Sequence, residues 1–302
     1  AYAILSGLVG SEMCIRDRPG LINTHHHLFQ TLTKAIIKAQ NASLFDWLKI
    51  LYPIWSRITS VELKSAVKIG LSELMTSGCT TTSDHLYIFP NGIKLEDEIE
   101  VAQTLGIRFH STRGSMSIGE SNGGLPPDYL VEDENFIIKD SQDIINKWHD
   151  PSHGSMIRIA LAPCSPFSVS KELMRDTAIL AREYNVGLHT HLAENSDDVE
   201  YSKRMFGLTP GQYIEELGWI GKDVWHAHCV KLNNEEIDLF SRTGTSVSHC
   251  PCSNMRLGSG ILPLNKMLDK GVNIGLGAVS YTHLRAHETR EDRGWRRVGE
   301  KK

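Results

Sequence analysis

The chain has 302 residues, of which 40% are apolar and 23% are charged, and its formal net charge is -4 at pH 7. This length favours one large domain or two small ones, and the apolar fraction suffices for a sizeable core. The slightly acidic balance argues against a nucleic acid or an anionic membrane surface as the main partner. No apolar run approaches the ~18 residues of a membrane span. The expected partner is therefore a small molecule, with no nucleic acid and no membrane.

The numbers and positions of the cysteines and histidines indicate the redox environment and the candidate functional residues. The six cysteines are few for this length and widely spaced, which predicts reduced thiols rather than a disulfide framework. The first residues lack the basic start of a signal peptide, so we expect a cytoplasmic protein. The fourteen histidines are numerous, and their positions relative to the predicted strands carry most of the functional information.

Residues 19–277 show a pattern of strands that alternate with helices. The turn at Pro19 and Gly20 leads into a first strand that begins at Leu21. An amphipathic helix is predicted over 61–76, with Ser60 as its cap and Gly78 as its end. Short β-branched or apolar runs predict the other strands over 79–85, 107–113, 157–162, 186–191, 224–228, 245–249 and 272–277. Further helices are predicted over 95–105, 134–148, 171–184, 197–206, 210–217, 233–242 and 264–270.

This alternation predicts a parallel sheet, and eight strand–helix units over about 250 residues predict a closed (β/α)₈ TIM-like barrel. The competing fold is an open doubly wound sheet, which normally carries a glycine-rich phosphate loop after its first strand. Here that position holds the histidines of 25–27, so the barrel is the predicted fold. Its active site is expected at the carboxyl ends of the strands.

The first strand runs into three consecutive histidines, His25, His26 and His27. Side chains alternate along a strand, so His25 and His27 are expected on one side and His26 on the other. Two neutral imidazoles on one side of a strand end can hold a divalent ion. A lone His-x-His pattern is equally compatible with ordinary buried histidines, so the argument depends on histidines later in the chain.

Later strand ends supply those histidines. The predicted fifth strand ends in His191 and the sixth in His228, and both would meet His25 and His27 at one mouth of the barrel. Three imidazoles around one ion, with a position open for water, are typical of a catalytic site. Glu194, three residues beyond His191, is placed to stay off the metal and to move protons.

The remaining histidines are predicted to do less. His189 and His226 each precede a functional histidine by two residues, so both are expected on the same face, one layer deeper. They are expected to pack beneath the site or to support its ligands, and not to bind the metal themselves. His85 ends the second strand and suits either the core or the rim of the pocket. The histidine and two cysteines within 249–252 lack the Cys-x-x-Cys spacing of the small zinc deaminases and are interpreted as structural.

Three motifs resemble those of a known family. The stretches 24–27, 191–194 and 226–229 (Thr-His-His-His, His-Leu-Ala-Glu and His-Ala-His-Cys) are similar to motifs of the amidohydrolase superfamily, in its aminohydrolase branch of metal-dependent deaminases and chlorohydrolases. The likeness covers nearly all of 19–277 and is strongest to the deaminases that act on 8-oxoguanine. The resemblance implies a TIM-like barrel of the metal-dependent hydrolase type with a small flanking β-sandwich.

The resemblance also implies one divalent metal ion, zinc or iron, held by His25, His27, His191 and an aspartate after the eighth strand. Hydroxide on that ion would attack the ring carbon that bears the amino group. Glu194 would pass a proton to the adjacent ring nitrogen, and His228 would orient the water. The expected reaction is the hydrolytic deamination of an aminated purine, 8-oxoguanine to urate and ammonia. The alternative is a hydroxytriazine or other heterocycle aminohydrolase or chlorohydrolase.

Four further residues are predicted to bind the substrate. Gln30 is expected to donate a hydrogen bond to the ring edge, and Arg113 is expected to meet a carbonyl oxygen. His85 and Asn254 are expected to lie in the pocket near the ring.

The sequence departs from the family pattern at position 279. The aspartate of the family stands two residues after Gly-Leu-Gly, where this chain has Val279, and valine can neither bind a metal nor take a proton. Residues 1–18 and 278–302 are predicted to be non-native ends that flank the barrel of 19–277, which would lack most of the β-sandwich. A catalytically impaired barrel, serving as a binding scaffold, is therefore a third alternative. A homo-oligomer is compatible with the sequence.

Overall fold

The computed structural model describes residues 19–279, and the predicted ends over 1–18 and 280–302 lie outside the described residues. Eight parallel strands close into a barrel in chain order. They are β1 Leu21–Asn23, β2 Cys79–Leu86, β3 Arg108–Ser115, β4 Ile157–Pro163, β5 Gly187–Leu192, β6 Val224–His228, β7 Ser246–His249 and β8 Ile274–Leu276. Asn23 of β1 pairs with Leu276 of β8 and closes the barrel. The predicted (β/α)₈ architecture is confirmed.

Helices cover the outside of the barrel. Within the described residues they are α1 Leu44–Trp55, α2 Ser60–Thr76, α3 Glu96–Leu105, α4 Glu134–Trp148, α5 Lys171–Glu183, α6 Ser196–Phe206, α7 Pro210–Glu216, α8 Asn234–Thr243, α9 Pro251–Arg256 and α10 Leu264–Asp269. Short 3₁₀ helices lie in the connections, at Leu28–Thr33, Ile37–Ala39, Pro90–Gly92, Glu120–Asn122 and Asp128–Leu130. Across 19–279, no helix is long and apolar enough to span a membrane.

Element boundaries differ from the predicted ones where a cap or a turn decides them. Helix α2 is capped by Thr59 rather than Ser60, because Thr59 and Glu62 form a capping box. Strand β1 ends at Asn23, so the three histidines lie in the loop that follows it. Helix α9 was not predicted, since its six residues are too short to show a helical period.

The inside of the barrel is filled with aromatic rings rather than with aliphatic layers alone. The ring of His85 on β2 lies 4.9 Å from His191 and 5.1 Å from His189, both on β5. His189 in turn stacks on Trp225 of β6, with ring centroids 4.7 Å apart. Large apolar side chains fill the space between strands and helices, among them the fully buried Trp219. The polar interior therefore continues from the mouth of the barrel into its middle.

His226 faces away from this interior, so the prediction that it shares a face with His228 is wrong. Its Nε2 donates to the backbone oxygen of Trp219 at 3.0 Å, and its ring packs against Phe240 of α8. The reason lies at the strand end, where His228 adopts a left-handed backbone with φ of 71°. That turn breaks the alternation of side chains and brings His228 back over the barrel mouth.

We expect the His226→Phe variant to be less stable than the wild type at pH 7.5 and to recover about 2 kcal/mol of that deficit at pH 5. Burial lowers the pKa of His226 from 6.5 to about 4 in the folded protein. The unfolded wild type therefore binds a proton as the pH falls below 6.5, whereas the folded wild type does not. The wild type loses stability in that window, and the variant lacks the group. Urea unfolding of both proteins at the two pH values measures the difference in their free energies of unfolding. A difference that is the same at both pH values would contradict the prediction.

Candidate active site

A partly open cavity lies at the carboxyl ends of the strands. Five of the predicted site residues contribute to its lining, namely His27, Gln30, His191, Glu194 and His228. Its position agrees with the face on which barrels of this kind carry their active sites. The sequence-based prediction that distant strand ends meet here is borne out by this placement.

His27 and His191 face each other with their Nε2 atoms 3.0 Å apart. Nδ1 of His27 lies 2.8 Å from the backbone oxygen of His85, and Nδ1 of His191 lies 2.6 Å from that of Cys164. A carbonyl oxygen only accepts, so each Nδ1 carries the hydrogen. Burial lowers the pKa of both imidazoles, so both rings are neutral at pH 7. Two lone pairs therefore point at each other, an arrangement that a cation between them would stabilise.

His25 completes this cluster. Its ring centroid lies 4.6 Å from that of His27 and 4.9 Å from that of His191. Its Nε2 is buried and has no hydrogen-bond partner. Together with His85, the three histidines offer ligand atoms that all lie within 4.8 Å of one another. Converging neutral imidazoles are a donor set preferred by zinc and similar divalent ions, so the residues present fit one such ion.

Glu194 lies beside the cluster in a tight turn after β5. Ala193 has a left-handed backbone with φ of 48°, and the next two backbone N–H groups, of Glu194 and Asn195, donate to the carboxylate of Asp198 at 2.8 and 3.4 Å. Burial raises the pKa of Glu194 to about 8. Burial, with the nearby Glu194 as a second cause, raises the pKa of Asp198 to about 8. A carboxyl group that titrates near neutrality is suited both to take and to give a proton.

His228 approaches Glu194 from the end of β6, with its Nε2 3.5 Å from Oε2 of the glutamate. Its Nδ1 lies 2.8 Å from Oδ1 of Asn254 on α9, so Nδ1 donates and Nε2 is left as an acceptor. Burial lowers the pKa of His228 to about 4, which keeps the ring neutral. Asn254 thus orients His228 and is absent from the lining of the cavity, so the geometry supports a role behind His228 rather than beside the substrate ring.

Arg113 lies outside this cavity, so the geometry gives no support to its predicted contact with the substrate. Its guanidinium pairs with Glu132 at 2.8 Å and with Asp140 of α4 at 2.6 Å. The same group lies 4.0 Å from the centre of the Phe89 ring. A buried guanidinium held by two carboxylates ties the loops after β2 and β3 to the helix layer and has no free face for a carbonyl oxygen.

His85 lies below the cavity rather than at its rim, which is the core position that the sequence had left open. Its Nε2 donates to the backbone oxygen of Ala162 at 2.8 Å. Its ring stacks on His191 at an interplanar angle of 22°. His85 therefore supports a predicted metal ligand from beneath, and its own Nδ1 remains buried without a partner.

Apolar residues that the sequence did not single out form much of the cavity wall. Leu44, Trp47 and Leu48 come from α1, while Phe167 and Leu257 come from the connections after β4 and β7. The available signal was the amphipathic pattern of α1, which begins after the cap Ser43, beyond the two 3₁₀ helices that follow the first histidine motif. That pattern predicts a buried face, but it does not say that the face covers the barrel mouth.

Val279 stands at the site itself. The backbone N–H groups of Ala278 and Val279 donate to the backbone oxygen of His25 at 3.0 and 3.2 Å, and the side chain of Val279 lines the cavity. Its φ is 44°, a left-handed conformation that is unfavourable for a β-branched residue. Residues 278 and 279, although predicted to begin a non-native end, therefore pack directly against the first metal motif.

A model of the amidohydrolase family matches residues 18–279, and the chain belongs to this family. The 8-oxoguanine deaminase of Pseudomonas aeruginosa is 48% identical over 86% of this chain and 58% of its own length. An isoxanthopterin deaminase from an unknown prokaryotic organism is 37% identical over 86% of this chain and 55% of its own.

A solved structure gives the same result for the fold. The atrazine chlorohydrolase of Arthrobacter aurescens, crystallised with zinc, superposes with a TM-score of 0.82 at 32% identity, over 86% of this chain and 59% of that one. This chain therefore spans a little over half the length of the relatives that it matches.

Proposed function

We propose that this chain is the barrel of a metal-dependent deaminase that converts 8-oxoguanine and water into urate and ammonia. The observation that carries the proposal is the pair of facing lone pairs on His27 and His191, with the titratable carboxyl of Glu194 in the same cavity. The 48% identity to an 8-oxoguanine deaminase supports the choice of substrate. Zinc is the proposed ion, since a related structure was crystallised with it.

Three histidines, Glu194 and His228 would have separate roles in this reaction. A divalent ion held by His25, His27 and His191 would supply Lewis acidity that makes water a nucleophile near neutral pH. Glu194 would hold a proton and deliver it to the ring nitrogen next to the amino-bearing carbon. His228, whose Nε2 is an acceptor, would orient the attacking water. A carbon–oxygen bond forms and the carbon–nitrogen bond breaks, so that the amino group leaves as ammonia.

The cavity suits a flat ring with polar edges. Trp47 and Phe167 line it with aromatic surface. The amide nitrogen of Gln30 donates to the hydroxyl of Tyr87 at 3.3 Å, and its Oε1 is buried without a partner. Gln30 would therefore offer the ring an acceptor, in place of the donor expected from the sequence. An oxo-purine carries ring N–H groups that match such an acceptor.

The test is the release of ammonia from a panel of 8-oxoguanine, guanine, isoxanthopterin and a hydroxytriazine. It uses the zinc-loaded chain and its Val279→Asp variant, because valine offers no ligand at the cavity. We expect 8-oxoguanine to be the best substrate of the variant by at least about tenfold in kcat/KM, which is ~1.4 kcal/mol of transition-state discrimination. Turnover of the triazine with no turnover of any purine would contradict the proposal.

A triazine aminohydrolase or chlorohydrolase is the second candidate. It is favoured by the structural likeness to the atrazine chlorohydrolase and by the apolar wall residues Leu44, Leu48 and Leu257, which suit alkyl substituents. Chloride or alkylamine release in the same panel identifies it. A cytoplasmic location and a homo-oligomeric state stay predictions.

A further inference from the structure

We propose that His189 is a positioning residue that fixes the tautomer of His25 and thereby presents an unprotonated Nε2 to the metal. This inference rests on the proposed metal centre but concerns a residue that touches neither the cavity nor the expected ion. His189 is fully buried in the barrel interior on β5, two residues before His191. The sequence pattern indicated that His189 packs beneath the site or supports its ligands, without saying which residue it acts on or how.

The donor and acceptor nitrogens of His189 and His25 are fixed by their hydrogen-bond partners. Nδ1 of His189 lies 2.8 Å from the backbone oxygen of Trp225, so this nitrogen carries the hydrogen. In the neutral ring Nε2 is then an acceptor. It lies 2.7 Å from Nδ1 of His25, so Nδ1 of His25 must be the donor. Nε2 of His25 consequently keeps its lone pair, and it is the buried nitrogen without a partner in the cluster.

His25 differs in this respect from the other two histidines of the cluster. Nδ1 of His27 and of His191 donate to backbone oxygens, which no substitution removes. The tautomer of His25 alone depends on a side chain. A partner of this kind on a ligand histidine typically changes metal affinity by about 10–100-fold.

His189 is held rigidly enough for this purpose. Its ring stacks on the indole of Trp225 at an interplanar angle of 21°. The indole N–H of Trp225 donates to the backbone oxygen of Thr24 at 3.0 Å, the residue before His25. Trp225 therefore fixes both the backbone that leads into His25 and the ring that receives its hydrogen. These contacts between protein groups leave the lone pair of His25 on Nε2.

The experiment compares the full 302-residue chain with three variants. His189→Phe keeps a flat ring on Trp225 and removes the acceptor. His189→Gln restores an acceptor near the position of Nε2. His226→Phe is the matched control, because it removes an equally buried imidazole from the next strand, on the opposite face. Zinc affinity is measured by competition with a chelator, and His25 tautomers are measured by ¹⁵N spectroscopy of metal-free, histidine-labelled protein, assigned with a His25→Gln sample.

We expect His189→Phe to weaken zinc binding by about 10–100-fold, with His189→Gln recovering most of the loss and His226→Phe leaving the affinity within about threefold. The wild-type spectrum should show His25 with its hydrogen on Nδ1 alone. The His189→Phe spectrum should show a mixture of the two His25 tautomers. A wild-type His25 with its hydrogen on Nε2, or equal affinities for His189→Phe and wild type, would overturn the inference. Absence of zinc binding by the wild type would instead count against the proposed function, while the metal-free spectrum still decides the role of His189.

Discussion

Replacing Val279 by Asp is expected to raise the zinc affinity of the chain about 100-fold, or ~2.8 kcal/mol, and to produce deaminase turnover where the unchanged chain has little. The side chain at 279 lines the same cavity as His27, His191 and Glu194. A carboxylate there would add an anionic ligand to three neutral imidazoles, which would strengthen the binding of a divalent cation. Isothermal titration with zinc and an ammonia assay measure the two effects.

The Val279→Asn variant is the control for this prediction. Asparagine tolerates the left-handed backbone at this position (φ 44°) better than valine does, so it relieves the same backbone strain without adding charge. We expect it to raise thermal stability much as Val279→Asp does in the metal-free protein, with little gain in zinc affinity or turnover. Equal zinc affinity for the Asn and Asp variants would show that strain, and not the carboxylate, limits the site.

Substituting Glu194 by Gln in the Val279→Asp background should lower kcat by about 10²–10⁴-fold while leaving zinc affinity within about threefold. The amide has nearly the shape of the carboxyl group but cannot exchange a proton near neutral pH. The carboxyl of Glu194, whose pKa burial raises to about 8, is the proposed proton-transfer group at the cavity. Single-turnover kinetics and chelator competition measure the two quantities separately.

Glu200→Gln provides the matched control, because Glu200 is an exposed residue of α6, the helix that follows the turn of Glu194. It should change neither quantity. A Glu194→Gln enzyme that keeps at least half of its kcat would remove Glu194 from the proton-transfer role. Loss of zinc binding in that variant would instead show that Glu194 is itself a ligand.

The barrel and the central residues of the site were predictable because they depend on local sequence patterns. Strand–helix alternation fixes a parallel sheet, and strand ends in a closed parallel sheet must converge. His191 and Glu194 therefore followed from spacing alone. The cavity confirms that they meet His27, although β1 itself ends before the histidines.

What was mispredicted depends on single backbone torsions and on tertiary partners. The left-handed backbone of His228 turns its side chain away from the side of the strand that His226 faces. The types of the residues do not predict such a backbone torsion. Arg113 resembles a free substrate contact until its partners Glu132 and Asp140 are placed beside it. The covering of the mouth by Trp47 required the packing of α1, which no periodicity specifies.

The positive φ angles of non-glycine residues have a consequence for engineering this fold. Ala193, His228, Cys229 and Val279 adopt φ of 48°, 71°, 54° and 44°, and all four lie at the carboxyl ends of strands. Such residues each cost on the order of 1 kcal/mol or more relative to relaxed backbone. A thermostability screen of random variants should therefore collect many of its gains at the catalytic mouth, where they would erode activity. Libraries confined to the opposite, amino-terminal mouth would gain stability without that conflict.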